Sequence, residues 1–163
     1  YRTGKPALAL LVLSLAVTPA MTVLGWRSAQ PLRRRFGLYS FGYASVHFLI
    51  FVGLDYLFDP ALIQAAIFEK PYALAGFTAF LLMVPLAVTS TKGWMRRLGR
   101  NWRRLHRLAY VAAGFAVVHY VWLVKSDIRQ PLAFGAAVVG LLALRLPWVR
   151  RRIARWRSRR SSR

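Results

Sequence analysis

The chain has 163 residues, of which 57% are hydrophobic, and it carries 25 Lys and Arg against four Asp and Glu. A soluble domain of this size could not hide so much apolar surface while its exterior carries a net charge of +21, so a medium other than water must cover the apolar part. The lack of cysteine excludes disulfides, iron–sulfur clusters and thiolate zinc sites. Metal chemistry must therefore use the three His, the three Met or the four acidic residues.

Five apolar stretches are long enough to cross a bilayer, because about 20 helical residues span a hydrocarbon core of about 30 Å. In chain order they cover residues 7–26, 37–58, 72–89, 105–124 and 132–149. We therefore expect an all-α integral membrane protein, a helical bundle with five spans in residues 1–150 and a basic cytoplasmic tail at 151–163. The segments 59–71 and 90–104 are interpreted as loops, and neither contains a glycine-rich phosphate motif.

The charged residues alternate between successive connections. Three segments hold most of the basic ones, with four arginines at 27–35, seven Lys and Arg at 92–107 and nine arginines at 145–163. The segment 55–70 is instead acidic, with three carboxylates and a single lysine. The positive-inside rule then predicts that the basic segments and the C-terminus are cytoplasmic and that the N-terminus of this sequence lies outside. This topology, together with attraction to anionic lipids, explains the charge without nucleic acid as a partner.

All three histidines lie in or at the predicted spans. His47 is about ten residues into the second span, His119 is deep in the fourth, and His106 is near the cytoplasmic end of the fourth. Both spans run from inside to outside. His47 lies about ten residues, and His119 about fourteen, from the inner start of its span, so the two differ in depth by roughly 6 Å at about 1.5 Å per residue. An interhelical hydrogen bond is one role for such residues. The other is axial ligation, in which two neutral imidazoles on facing helices bind one heme iron.

A porphyrin between helices needs small residues beside it, and each histidine follows a group of them: Gly42, Ala44 and Ser45 before His47, and Ala112, Ala113, Gly114 and Ala116 before His119. His106 precedes His119 by about 19.5 Å of helix, a spacing that suits a second heme. Fourteen residues before His47, just before the second span, the sequence has Arg33, which stays protonated and is a poor axial ligand but a good partner for heme propionates. The inner heme site is therefore predicted to be weaker than the outer one.

Three segments carry a family motif: LRRRFGLYSFGYASVHF (32–48), AVTSTKGWMRRLGRNWRRLHRLAYVAA (87–113) and VVHYVWLVKSD (117–127). They closely resemble the MsrQ/YedZ heme-binding membrane subunits of bacterial protein-methionine-sulfoxide reductase systems. Those subunits belong to the six-helix ferric-reductase-like transmembrane domains. The opening TGKPAL resembles the segment before the family's second span, so we expect that the first span is missing from this sequence.

The resemblance implies an electron-transfer subunit of the bacterial inner membrane, distinct from the catalytic subunit. Electrons would pass from the quinol pool, with FMN as a further carrier, through b-type heme to a periplasmic molybdopterin-containing methionine sulfoxide reductase. By position, His47 and His119 match the family's heme ligands and His106 matches its third histidine. Arg33 stands where two-heme relatives have a histidine, which leaves one heme expected and the second open. No residue is assigned to FMN by this resemblance.

Two other functions remain open at this stage. One is a different quinol or ferric reductase of the same architecture. The other is a small transporter that uses His47 and His119 as a proton relay. The basic segment 92–107 is a candidate for an FMN phosphate or a quinone edge, although membrane topology accounts for the same charges.

Overall fold

A computed structural model describes residues 2–124, 127–146 and 149, and at Arg27 the backbone alone. Within these ranges the regular elements are helices: α1 (Gly4–Leu24), α2 (Gln30–Ile50), α3 (Pro60–Glu69), α4 (Pro71–Val88), α5 (Lys92–Leu98), α6 (Arg100–Leu105), α7 (Leu108–Leu123) and α8 (Arg129–Ala143). A 3-10 turn at Arg27–Ala29 precedes α2, and a π-helical turn at Phe51–Asp55 extends it. The all-α prediction is confirmed, whereas the predicted tail at 151–163 lies outside the described residues.

Among the described residues, three helices are long and apolar enough to cross a membrane: Gly4–Leu24, Gln30–Asp55 and Pro71–Val88. The fourth and fifth predicted spans correspond to α7 and α8, which have 16 and 15 residues. Both are shorter than the roughly 20 residues that a perpendicular crossing needs. The chain is therefore a multi-pass membrane protein, and its count of five spans stays a prediction.

Helix α2 begins seven residues before the predicted span, at Gln30 instead of Gly37. Pro31 lies in its first turn, where a missing amide proton costs no helical hydrogen bond. The preceding helix, α1, is capped by Gly25, whose φ of 75° is in the left-handed region that favours glycine. As a result Arg33, which the sequence analysis placed in a loop, belongs to a helix.

Both segments interpreted as long loops also contain helices, which corrects that interpretation. Asp59 caps α3 by accepting hydrogen bonds from the amides of Ala61 and Leu62, and Pro60 follows it. The hydroxyl of Thr91 caps α5 by accepting from the amide of Trp94. The length of an apolar stretch does not predict these helices, because they are shorter than a membrane span.

The bundle consists of two closely packed pairs, α1 with α2 and α4 with α7. Contacts between α2 and α4 join the pairs, and α8 packs on α7 and α1. One core cluster combines α1, α4, α7 and α8 through Leu11, Leu15, Met83, Ala112, Ala113 and Val138. Ala112 and Ala113 have no exposed surface, and such small side chains allow helices to approach closely in a membrane. Leu11 and Met83 also form the floor of a cavity, at the end of the bundle where α1 and α4 begin.

Candidate functional site

A cavity of about 550 Å³ lies between α1, α2, α4 and α7. Its size is within the range of about 300–1,000 Å³ that is typical of ligand and cofactor pockets. Most of its wall is apolar or aromatic, and its charged and phenolic side chains come from the helix ends: Lys5, Asp55, Tyr56, Tyr72 and Tyr120. The cavity is therefore suited to a largely apolar group with a few polar substituents at one edge.

His47 of α2 and His119 of α7 both line this cavity. Their ring centres are 6.2 Å apart and their ring planes are inclined by 73°. A metal–imidazole bond is about 2 Å long, so two rings that share one metal ion have centres roughly 6 Å apart. The structure thus brings together the two histidines that the depth argument paired, at a separation that suits a single metal ion between them.

The ring of His119 is oriented by a hydrogen bond from Nδ1 to the carbonyl oxygen of Tyr72, at 2.6 Å. A carbonyl can only accept, so in the neutral imidazole Nδ1 carries the proton and Nε2 carries the lone pair. Metal-binding histidines usually make such a second contact, which fixes the tautomer and raises the basicity of the ligating nitrogen. His119 is therefore in the form that a metal ligand requires.

The ring of His47 is also held through Nδ1, which lies 3.2 Å from the hydroxyl of Thr3. A hydroxyl can donate or accept, so this contact orients the ring without choosing its tautomer. The two imidazoles are thus supported unequally, with a short bond to a backbone carbonyl on His119 and a longer bond to a side chain on His47.

The small residues along the cavity differ from those predicted. Ala44 and Ala116 line it, as expected, but Ala112 and Ala113 belong to the core cluster. Gly42, Ser45 and Gly114 are not part of the wall, because positions two or five residues from a histidine lie on another face of its helix. Counting back three and seven residues from His47 gives Ala44 and Ser40, both of which line the cavity. Small residues of α1 and α4 also line the cavity and were not predicted: Gly4, Ala7, Ala73, Gly76 and Ala79.

His106 lies toward the opposite end of the bundle, in a different environment. Its Nε2 is 3.2 Å from the hydroxyl of Thr89, which itself donates to the carbonyl of Pro85 at 2.6 Å. Because a hydroxyl has one proton, the oxygen of Thr89 must accept from Nε2 of His106. The ring also stacks on Trp102 with centres 4.0 Å apart, and the indole of Trp102 donates to the Thr89 carbonyl.

Arg33 does not line the cavity; it lies close enough to His106 for its charge to act on that imidazole. The structure therefore places the two predicted inner-site residues near each other. Their assignment to a second heme stays a prediction.

Near the cavity mouth, Lys70 donates to the hydroxyl of Tyr56 at 2.9 Å. This hydrogen bond raises the pKa of Lys70 above its ordinary value, so the lysine is cationic at neutral pH. On the neighbouring side, Lys5 and Tyr120 both donate to the side-chain oxygen of Gln130, at 2.9 and 3.0 Å. Two lysines, Lys70 and Lys5, therefore lie beside the polar side chains at the edge of the cavity.

Residues 3–117 match the family model described as ferric reductase like transmembrane component. The chain is 50% identical over 148 residues to the protein-methionine-sulfoxide reductase heme-binding subunit MsrQ of Xanthomonas campestris pv. campestris, covering 91% of this chain and 66% of that protein. It is 44% identical to the MsrQ of Xanthomonas oryzae pv. oryzae, over 99% of this chain and 74% of that protein. It is 47% identical to the MsrQ of Rhodospirillum rubrum, over 93% and 74%.

No solved structure gives a significant match. The chain spans about two thirds of the length of the Xanthomonas campestris relative, 66% of it. The resemblance drawn from the sequence motifs is confirmed by both kinds of match. The chain belongs to the ferric-reductase-like transmembrane family, and within it to the MsrQ subunits.

Proposed function

We propose that this chain is a heme-binding electron-transfer subunit of a methionine sulfoxide reductase system, with one heme bound between His47 and His119. The observation that carries the proposal is the pair of imidazoles, 6.2 Å apart across an apolar cavity. The relatives named above as heme-binding subunits support the choice of cofactor.

The donor set fits heme better than a bare metal ion. Among the described residues, no three His, Cys, Asp or Glu side chains come together as a metal site. A bare zinc ion, for example, takes three or four protein ligands, whereas heme iron needs only its axial ones. Flat aromatic rings such as Phe48 and Phe80, stacked with centres 4.8 Å apart, line the same cavity. Such a wall suits a planar macrocycle.

Bound heme supplies one-electron redox chemistry. His47 and His119 would hold the iron, and their Nδ1 contacts would fix the direction of each ring. With both His47 and His119 on the iron, no position would remain there for a substrate, so the heme would supply electron transfer instead of catalysis at the iron. The sequence contains no cysteine for covalent attachment, which supports a b-type heme.

The proposed route runs from quinol in the bacterial inner membrane, with FMN as a further carrier, to a periplasmic molybdopterin-containing reductase. The family resemblance supports these partners. The predicted topology supports the direction, because the cavity lies beside the acidic segment 55–70, which the positive-inside rule assigns to the outside. An outer heme in this position would be the last carrier before a periplasmic acceptor.

The test is a visible spectrum and a heme-to-protein ratio for the full chain, expressed with ample heme and purified in detergent. We expect a Soret band of a low-spin heme and about one heme per chain. His47→Ala and His119→Ala should each abolish this signal, whereas His106→Ala should retain it.

A well-folded protein without a Soret band would contradict the proposal. So would a band that survives when both His47 and His119 are replaced by alanine. The first result would favour the proton-relay function, and the second would assign the heme to other residues. Reduction by a quinol analogue, followed by reoxidation by the reductase partner, would then test the proposed route.

A further inference from the structure

We infer that Gly76 of α4 is the residue that positions the imidazole of His119, because only a residue without a side chain leaves room for the ring at this point. The contact itself is independent of the cofactor. Its consequence for the heme rests on the proposed function.

The ring of His119 lies directly against the backbone of Gly76. A Cβ atom added at Gly76 would be 2.6 Å from Nδ1 of His119, 2.9 Å from Cε1 and 3.1 Å from Cγ. All three distances are shorter than nonbonded carbon contacts in well-packed proteins, which lie at about 3.5–4.0 Å. Any side chain at position 76 would therefore displace the ring or the helix.

The hydrogen bond to Tyr72 explains why the ring approaches at this place. In an α-helix the carbonyl of one residue accepts from the amide four residues later, so the carbonyl of Tyr72 faces the amide of Gly76. A donor from another helix can reach this oxygen only beside position 76. Nδ1 of His119 does so at 2.6 Å, across the space where a side chain would stand.

The ring cannot move away without losing this geometry. Rotation about the side-chain bonds of His119 would break the bond to the Tyr72 carbonyl. Gly76 and the Tyr72 carbonyl therefore act as one unit, in which the glycine gives access and the carbonyl fixes the tautomer.

Other glycines provide a graded comparison. A Cβ at Gly4 would lie 3.2 Å from Cε1 of His47 and 3.3 Å from its Nε2, which is tight but open to small adjustments. Added Cβ atoms at Gly42 on α2 and Gly114 on α7 would have no neighbour within 4 Å. The expected order of disturbance is thus Gly76, then Gly4, then Gly42 and Gly114.

The experiment compares Gly76→Ala with the matched control Gly114→Ala in the heme-loaded full chain. Both changes replace a helical glycine with alanine, so both gain the same intrinsic helix preference. The readouts are the optical and electron paramagnetic resonance signatures of low-spin heme and the midpoint potential.

We expect Gly76→Ala to lose most of the low-spin signal and Gly4→Ala to shift the potential while retaining that signal. Gly114→Ala should match the parent protein. A Gly76→Ala protein with the parent spin state and potential would overturn the inference.

A double-mutant cycle keeps the inference testable if Gly76→Ala binds no heme or is unstable. The thermal unfolding temperature of the heme-free chain is measured for Gly76→Ala, His119→Ala and the double variant. We expect Gly76→Ala to lower this temperature when the imidazole is present but not in the His119→Ala background. An equal loss in both backgrounds would overturn the inference. Because this cycle uses no heme, failure of the proposed heme function would leave its result unaffected.

Discussion

The two ends of the bundle use histidine in contrasting ways. At the cavity end, the rings of His47 and His119 have centres 6.2 Å apart. Nδ1 of His47 contacts Thr3, which caps α1, and Nδ1 of His119 contacts the carbonyl of Tyr72 on α4. At the opposite end, Nε2 of His106 is hydrogen-bonded to Thr89 and its ring is covered by Trp102. The comparison teaches that histidines at similar positions in a membrane bundle can have different surroundings, a shared cavity at one end and a polar and aromatic contact at the other.

The largest expected effect is on heme content, which should differ between variants at the two ends of the bundle. His119→Ala should reduce bound heme to near zero, because it removes one of the two proposed iron ligands from the cavity. His106→Ala should keep about the parent ratio, since its ring lies outside that cavity. The pyridine hemochrome assay measures both. Complete loss of heme from a well-folded His106→Ala protein would break the comparison.

The second prediction concerns stability at the end opposite the cavity. Thr89→Val removes the hydroxyl that accepts from His106, and we expect the free energy of unfolding to fall by about 1–3 kcal/mol. Thr78→Val is the matched control, because Thr78 lies on the helix that Thr89 caps and also donates to the carbonyl four residues before it, in an exposed hydrogen bond. Chemical unfolding of the heme-free chain gives both values. Equal losses would show that the bond to His106 contributes little.

The third prediction compares charges near the two ends. Lys5 lines the cavity and Arg33 does not, so removal of the lysine charge should lower the heme midpoint potential more than removal of the arginine charge. The sign follows because a nearby positive charge favours the reduced state, which is less positive by one unit. Redox titration of Lys5→Gln and Arg33→Gln makes the measurement. A larger shift in Arg33→Gln would support the sequence-based proposal that Arg33 binds a propionate.

The smallest effect is expected at the hydroxyl beside His47. Thr3→Val removes the 3.2 Å contact with Nδ1, which at about 1 kcal/mol should weaken heme binding modestly and shift the potential without loss of the low-spin spectrum. Thr3→Ser keeps a hydroxyl and should behave as the parent protein. Heme dissociation rates and redox titration test the pair of variants. Identical behaviour of Thr3→Val and Thr3→Ser would remove Thr3 from the site.

The pairing of His47 with His119 could be predicted because helix rise converts sequence position into depth. The supporting contacts could not, since Thr3 caps α1, Tyr72 and Gly76 lie on α4, and neither helix carries a histidine. Their roles depend on how each helix is rotated and which neighbour it meets. The small residues around His47 were partly mistaken because adjacent positions were chosen where the helical period of 3.6 residues was needed. That rule alone would have selected Ser40 and Ala44.

The π-helical turn at Phe51–Asp55 separates two parts of the cavity wall that lie on the same helix. Four residues before the turn, His47 stands on regular helix, while Phe51 and Asp55 belong to the turn and also line the wall. A π-helical turn holds one residue more than an α-helical turn, so a single deletion there would change the direction in which Phe51 and Asp55 point relative to His47, which precedes the turn. Sequence changes in this turn would therefore reshape the part of the wall that Phe51 and Asp55 form, while His47 keeps its place on the regular helix.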